Sequence, residues 1–380
     1  MADTEIPVES EPKKKAKVVK DKLLKKTPAN AEANPVTALS SGSTLLNLAM
    51  TGNPNVCFFQ GFYYVMIGDS RAGKTWLALQ LFAEAAKNDR YAKHRFIYDK
   101  PERGALMDVA RYFGQGVKDR MEEPSKRGSS RSLEDFYDNV DDAALDGRPF
   151  IYVLDSEDAL VSEKELKKFR QDKNKRHKKK GDAEGKEDEL KGSYGTAKAK
   201  TNSSGLRVAN DGLAGTASIL VVLKQSRDNI GPDAMFRPKT RSGGRSLTFY
   251  ATGELWFSIV KKIVKKVKGN PVVQGSVLRI KNEKNRTSGT ERTVELPFHV
   301  GHGIDEIGSL IRFLVKWQHW EGSEDKGLVK ASEFEFEGKQ DDLAVQIEAD
   351  GKEAKLRTLV CEVWDDIEDQ LKVKRKARYA

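Results

Sequence analysis

Cysteine is scarce: Cys57 and Cys361 are the only two in 380 residues, far apart and without paired spacing. That excludes a disulfide-framed scaffold and suits a reducing compartment. Apolar residues make up only 38% of the chain. Nowhere do they gather into the roughly 18-residue run that crosses a bilayer, and the N-terminus lacks the apolar core of a secretory signal. A cytoplasmic protein with no membrane partner is expected. Histidine is also sparse. His299 and His302 flank "VGHG" without a further ligand of suitable spacing, so no metal site is expected there.

Charge is what the chain has in quantity. Charged residues reach 33%, the formal balance is +10 and the pI is near 9.2. Clustered Lys and Arg gain free energy by displacing counterions from nucleic acid or acidic lipid, so an anionic partner is expected. Residues 1–35 read as a basic, largely disordered tail in which Val19 and Leu23 share one helical face. From 36 to 304 short apolar runs alternate with helical periodicity: strand 63–67, helix 74–87, strand 95–99, helix 104–113, strand 150–154. That rhythm predicts an α/β fold with a mostly parallel twisted sheet flanked by helices. Residues 164–191 are nearly all charged and read as an inserted surface loop. Regular structure resumes with "TASILVVLKQ", and a late β-hairpin follows, its two runs separated by Gly269-Asn270-Pro271. Residues 305–380 read as a small C-terminal α+β domain with a basic tail.

The sharpest local signal is "GDSRAGKT", Gly68 to Thr75, with the apolar run ending at Ile67 before it and a helical pattern after it. This is a phosphate-binding loop in the context that makes the motif meaningful. Gly68 and Gly73 let backbone N–H groups curl around phosphate oxygens, together with Asp69, Ser70, Arg71 and Ala72. Lys74 reaches the β- and γ-phosphates, and the Thr75 hydroxyl ligates Mg²⁺. A second carboxylate for the metal is expected at the end of a neighbouring strand, and "PFIYVLDS" supplies Asp155, ahead of the weaker candidates Glu157 and Asp158. A positioner for the attacking water is expected on the same sheet edge, and Glu102, just past "RFIYD", fits.

Several stretches in order resemble the RecA-type recombinases, and more particularly the phage UvsX-like branch. They are "LSSGSTLLNLAMTG", "GDSRAGKT", "YDKPERGALMDVARYFG", "VLDS", "KQSRDNIGPDAMFRPKTRSGGRSLTFYA" and "NEKNRTSGTERTVELPFHVGHGI", together covering roughly residues 36–320. The resemblance implies a RecA-like P-loop ATPase core and Mg²⁺-ATP hydrolysis stimulated by DNA. Glu102 falls on the catalytic glutamate, with one extra residue after Asp99. Gln225 falls on the glutamine that senses the γ-phosphate. The loop 226–243 falls on the DNA-contacting loop, with Arg227, Ile230, Met235, Phe236, Arg237, Lys239 and Arg241 as contacts and Gly243-Gly244 as its hinge. Interleaved cations and apolar side chains suit an unpaired strand held by its phosphates. Lys284 and Arg286 match the pair that reaches a neighbour's ATP across a subunit boundary, which makes hydrolysis depend on self-assembly. Phe249 matches a subunit-contact position, though core packing would explain it equally. Val109 stands where an adenine-stacking aromatic is usual.

The resemblance implies a filament on single-stranded DNA that then pairs homologous duplex DNA, in a bacterial cell or a phage-infected bacterial host. A hexameric helicase of the same fold and a nucleotide-binding recombination mediator stay open as alternatives. A small-molecule P-loop kinase would leave the basic loop unexplained.

Overall fold

The computed structural model describes residues 38–102, 107–179, 194–229, 235, 239–241, 246–323 and 326–375, with the backbone alone for 172–179, 194–196 and 241. The expected tail with Val19 and Leu23 lies outside these residues.

The sheet is built around β1 (Phe62–Gly68), whose residues are buried on both faces. Tyr64 and Met66 enter one apolar cluster, while Tyr63, Val65 and Ile67 enter the other. A strand apolar on both faces belongs in the middle of a helix-covered parallel sheet. Its neighbours are β5 (Ile219–Asp228) and β7 (Gly253–Val267), both parallel to it. Beyond β5 lie β4 (Phe150–Leu154), β2 (Arg95–Asp99) and the short β3 (Met121–Glu122), all parallel. Beyond β7 the sheet turns antiparallel through β8 (Asn270–Asn285), β9 (Thr293–His299) and β10 (Gly303–Ile304). A short β6 (Lys239–Arg241) pairs with the end of β5. The mostly parallel sheet flanked by helices is the architecture the alternation predicted.

One face is covered by α1 (Thr44–Thr51) and α2 (Lys74–Ala86), with the short α3 (Val109–Phe113) and α4 (Gln115–Arg120) beside them. The same cluster takes in α9 (Glu306–Lys316), the small sheet β11–β13 (Glu321–Ser323, Leu328–Ala331, Phe336–Lys339), α10 (Gln340–Ala349) and α11 (Glu353–Leu371). Leu310, Leu343, Val360 and Trp364 thus share one core with Tyr64 and Leu77.

The other face carries α5 (Leu133–Leu145) and α7 (Tyr194–Thr216). α7 is a helix the sequence reading misses, because Gly205, Gly212 and Gly215 and a run of Thr, Asn and Ser depress its propensity. Packing supplies the reason for two of these glycines. A Cβ at Gly205 would lie 2.3 Å from the Tyr137 ring, and one at Gly212 would lie 2.9 Å from Ala144 Cβ, so the glycines let α7 close onto α5.

The charged stretch 164–191 also needs correction over its first half. Residues Glu163–Lys179 form α6, not a loop. Its start is a reciprocal capping box: Glu165 N–H donates to Ser162 Oγ at 3.3 Å, and Ser162 N–H donates to a Glu165 carboxylate oxygen at 3.2 Å. Residues 180–193 lie outside the described residues. In the hairpin the turn is Lys268-Gly269, one position earlier than expected, with Asn270 and Pro271 already in β8. Positive φ at both turn residues, 50° and 86°, gives the two-residue turn whose twist matches a β-ribbon.

Candidate active site

β1 delivers the glycine loop to the C-terminal edge of the parallel strands, where ligands of open α/β sheets gather. The loop then turns through left-handed conformations at Arg71 and Gly73 (φ 64° and 86°) into the first turn of α2. At Gly73 a Cβ would also lie 2.5 Å from Leu278 Cδ1, so both backbone and space require glycine. At Gly68 a Cβ would lie 2.4 Å from the Phe257 carbonyl oxygen. The unpaired N–H groups of the helix start make this end an anion site. Lys74 is buried and donates from Nζ to the carbonyls of Gly68 and Asp69, each at 2.7 Å. Burial lowers its pKa, while Asp155 and Asp69 oppose the shift. Asp69, Ser70 and Arg71 are exposed and Ala72 is buried.

Asp155 stands just past β4 and faces Thr75. Its Oδ2 accepts from Thr75 Oγ1 at 2.7 Å and from the Tyr98 hydroxyl at 3.0 Å. Burial pushes its pKa up, and these hydrogen bonds offset part of that. A buried carboxylate beside a hydroxyl at the head of a glycine cradle is a donor set that fits Mg²⁺ with a triphosphate. The peptide from Asp155 to Ser156 is cis. Ser156 Oγ donates to Glu102 Oε1 at 3.0 Å, and Gln225 Nε2 donates to the same oxygen at 3.2 Å. The structure therefore brings Glu102, Asp155, Gln225, Lys74 and Thr75 to one sheet edge.

Behind this edge lies a buried charge cluster that the sequence reading missed. Glu157 and Lys224 are fully buried and ion-paired; Lys198 from α7 approaches Glu157 at 3.1 Å, and Asn202 donates to its Oε1 at 2.9 Å. Next to it, Asp158 Oδ2 accepts from the backbone N–H of Gln225 at 2.7 Å. These contacts fix the end of β5 against the segment following Asp155. Lysine one residue before Gln225, in an otherwise apolar strand, was the available signal. Asp99 is held similarly, by Ser130 N–H at 2.9 Å and the Tyr152 hydroxyl at 2.7 Å, with its pKa raised by burial.

β5 continues past Gln225 into the expected DNA loop. Ser226, Arg227 and Asp228 pair with Arg241, Thr240 and Lys239 of β6. Asp69 of the glycine loop accepts from Ser226 Oγ and sits 3.3 Å from Lys239 Nζ; these contacts lower its pKa, the Ser226 hydrogen bond most. Lys239 also pairs with Asp228 at 2.9 Å. Arg227 is 63% exposed and lies 3.9 Å from Asp158, and Met235 is 90% exposed. Ile230, Phe236, Arg237, Gly243 and Gly244 lie outside the described residues, as does the Arg241 side chain.

Lys284 and Arg286 do not join this edge. By register Lys284 is level with Glu254 and Val65, and Arg286 N–H bonds Thr252 O, near the start of β1. That is roughly 10–17 Å back along the strands from Gly68. Lys284 Nζ donates to Phe249 O at 3.0 Å and Arg286 donates to the same oxygen at 2.7 Å, at the end of α8 (Ser246–Tyr250). Phe249 is 63% exposed, so core packing is not its role. Val109 opens α3 and is partly buried against the core.

No family model matches the chain. It is similar to curated proteins named Protein RecA. It is 28% identical to that of Chloroherpeton thalassium over 285 residues, covering 74% of this chain and 68% of that protein. The Chlorobaculum tepidum protein is 28% identical over 293 residues (74% and 71%), and that of Acidiphilium cryptum is 28% identical over 291 residues (76% and 73%). These similarities support a RecA-like core for the sheet described above.

Proposed function

We propose that the chain is an ATP-dependent recombinase that assembles on single-stranded DNA and promotes pairing and strand exchange with homologous duplex. The similarity to proteins named RecA supports a RecA-type recombinase. One observation carries the link between nucleotide and DNA. Gln225 bonds Glu102, and the same strand runs two residues on to Arg227, while Asp69 of the glycine loop holds Ser226 and Lys239. A change at the phosphates therefore reaches the base of the basic loop through two short paths.

In this reading Lys74 and the loop from Gly68 to Thr75 bind the triphosphate, and Glu102 orients the attacking water. Thr75 and Asp155 hold the Mg²⁺ that neutralises phosphate charge. Gln225 reports the γ-phosphate, and Arg227 with the loop residues that follow grips DNA. Lys284 and Arg286, far from their own glycine loop, act on ATP held by a neighbouring copy, so hydrolysis requires assembly.

The test is ATPase rate with and without single-stranded DNA. Wild type should be strongly stimulated, Lys74→Ala should hydrolyse nothing, and Arg227→Ala should chiefly weaken DNA binding and flatten its salt dependence. Unaltered DNA affinity in Arg227→Ala would overturn the loop assignment. Closed rings under electron microscopy, in place of open filaments, would move the reading to the helicase.

A further inference from the structure

β2 and β4 are tied to each other twice by side chains, once on each face of the sheet. In register Tyr98 lies opposite Val153, and Tyr152 lies opposite Ile97. Each tyrosine reaches the aspartate two residues beyond that cross-strand partner: Tyr98 donates to Asp155 Oδ2 at 3.0 Å, and Tyr152 donates to Asp99 Oδ2 at 2.7 Å. Tyr98 packs in the apolar cluster that takes in α2, Tyr152 in the one that takes in α5. Each follows a phenylalanine two residues back in the same cluster, Phe96 and Phe150. An unsubstituted ring therefore packs on either face, and the hydroxyls call for a separate reason.

The two aspartates have different surroundings. Asp99 is held by Ser130, which gives it a backbone N–H at 2.9 Å and a hydroxyl at 2.5 Å, and among the described residues it makes no hydrogen bond to the glycine loop or α2. Asp155 faces α2. Its Oδ2 takes two donors, Thr75 Oγ1 at 2.7 Å and the Tyr98 hydroxyl at 3.0 Å, whereas Oδ1 takes none among the described residues. Two donors occupy both lone pairs of one carboxylate oxygen. Asp155 and Tyr98 are both buried, so water is no ready substitute for the tyrosine proton.

We propose that Tyr98 is a positioning residue for the metal site: it makes Asp155 a one-oxygen ligand and thereby favours Mg²⁺ over Ca²⁺. The proposal rests on the reading of Thr75 and Asp155 as the Mg²⁺ pair, and adds to it a residue that acts only through Asp155. Thr75 gives its proton to Oδ2 and so keeps its oxygen lone pairs for the ion. Tyr98 closes the other lone pair of Oδ2, which leaves Oδ1 available to the ion or to one of its waters. Mg²⁺ is small, strictly octahedral and keeps several waters, so a single carboxylate oxygen suits it; Ca²⁺ is larger, takes more oxygens and readily accepts both from one carboxylate. With Oδ2 capped twice, that second contact is closed. Tyr98→Phe would keep the ring and release one lone pair.

The test titrates a fluorescent, non-hydrolysable ATP analogue onto wild type, Tyr98→Phe, Tyr152→Phe and Asp155→Asn, each in EDTA, in Mg²⁺ and in Ca²⁺, without DNA. In EDTA Tyr98→Phe should bind as wild type does, which shows the glycine loop intact. The affinity gained with Mg²⁺ should fall about tenfold or more in Tyr98→Phe, the usual cost of removing a residue that orients a metal ligand. The gain with Ca²⁺ should fall less, so that the preference for Mg²⁺ narrows. Tyr152→Phe removes the same atom from the same two strands on the other face; it should lower the melting temperature and leave both metal gains unchanged. A wild-type Mg²⁺ gain in Tyr98→Phe overturns the proposal, as does an equal loss with both ions or the same loss in Tyr152→Phe, either of which would mark a merely structural bond. In those cases loss of the Mg²⁺ gain in Asp155→Asn would leave the reading of the site standing. Asp155→Asn with a wild-type gain would sink that reading and the proposal with it.

Discussion

Glu157→Gln isolates what the buried cluster behind the active edge contributes. The substitution keeps shape and one acceptor but removes the negative charge that faces Lys224 and Lys198. Both Glu157 and Lys224 are fully shielded from solvent, so water cannot compensate. Removing one partner of a buried pair costs about 3–5 kcal/mol, against a typical total stability of about 5–15 kcal/mol. The variant should therefore fold but be markedly weakened. Lys224 offers a partial escape. Burial already lowers its pKa, and Glu157 is the first of the groups that hold it up. Without that carboxylate its folded-state pKa falls further below the unfolded value. Such a group destabilises the fold while the unfolded chain is protonated, and the penalty fades as pH rises toward the unfolded pKa near 10. Urea unfolding at pH 7 and pH 9.5 should thus show a gap to wild type that narrows at the higher pH. Glu157→Leu/Lys224→Met, which removes both charges, should cost much less than the sum of the singles. A Glu157→Gln variant within 1 kcal/mol of wild type at pH 7, on the scale that separates surface from buried pairs, would refute the reasoning.

Other outcomes follow from packing and titration. Gly205→Ala should lower the melting temperature and cost about 1–3 kcal/mol, because its Cβ meets the Tyr137 ring with no room to yield; an unchanged melting temperature would mean that α7 does not sit tightly on α5. Gly73→Ala should impair nucleotide binding measured by fluorescent-nucleotide titration, through left-handed strain and collision with Leu278. Burial drives the His94 pKa down to about 4. The unfolded chain takes up that proton first, so stability should fall as pH drops from about 6.5 to about 4, a slope that His94→Gln should remove in pH-resolved melts.

How much was legible in the sequence depended on whether a residue's reason was local. β1, β2 and β4 were readable because each is a short apolar run buried on both faces, and "GDSRAGKT" because its spacing is itself the geometry. α6 escaped because its composition has no apolar stripe, although Ser162 and Glu165 three residues apart were a legible start signal. α7 escaped because its glycines answer to Tyr137 and Ala144 on another helix. The contacts of Tyr98, Ser156 and Ser226 with Asp155, Glu102 and Asp69 depend on side chains that meet only when strands are placed side by side. Lys224 was visible as an oddity, a cation closing an apolar strand, but its partner lies on a different strand's exit.

The position of β1 sets a schedule for the nascent chain. Its neighbours are β5 and β7, and the nearer of these begins at Ile219, 151 residues after Gly68. At synthesis rates of about 5–20 residues per second, β1 waits roughly 8–30 s with both hydrogen-bonding edges open. During that interval Phe62–Gly68 is the stretch most exposed to mispairing, and the one a ribosome-associated chaperone would need to shelter.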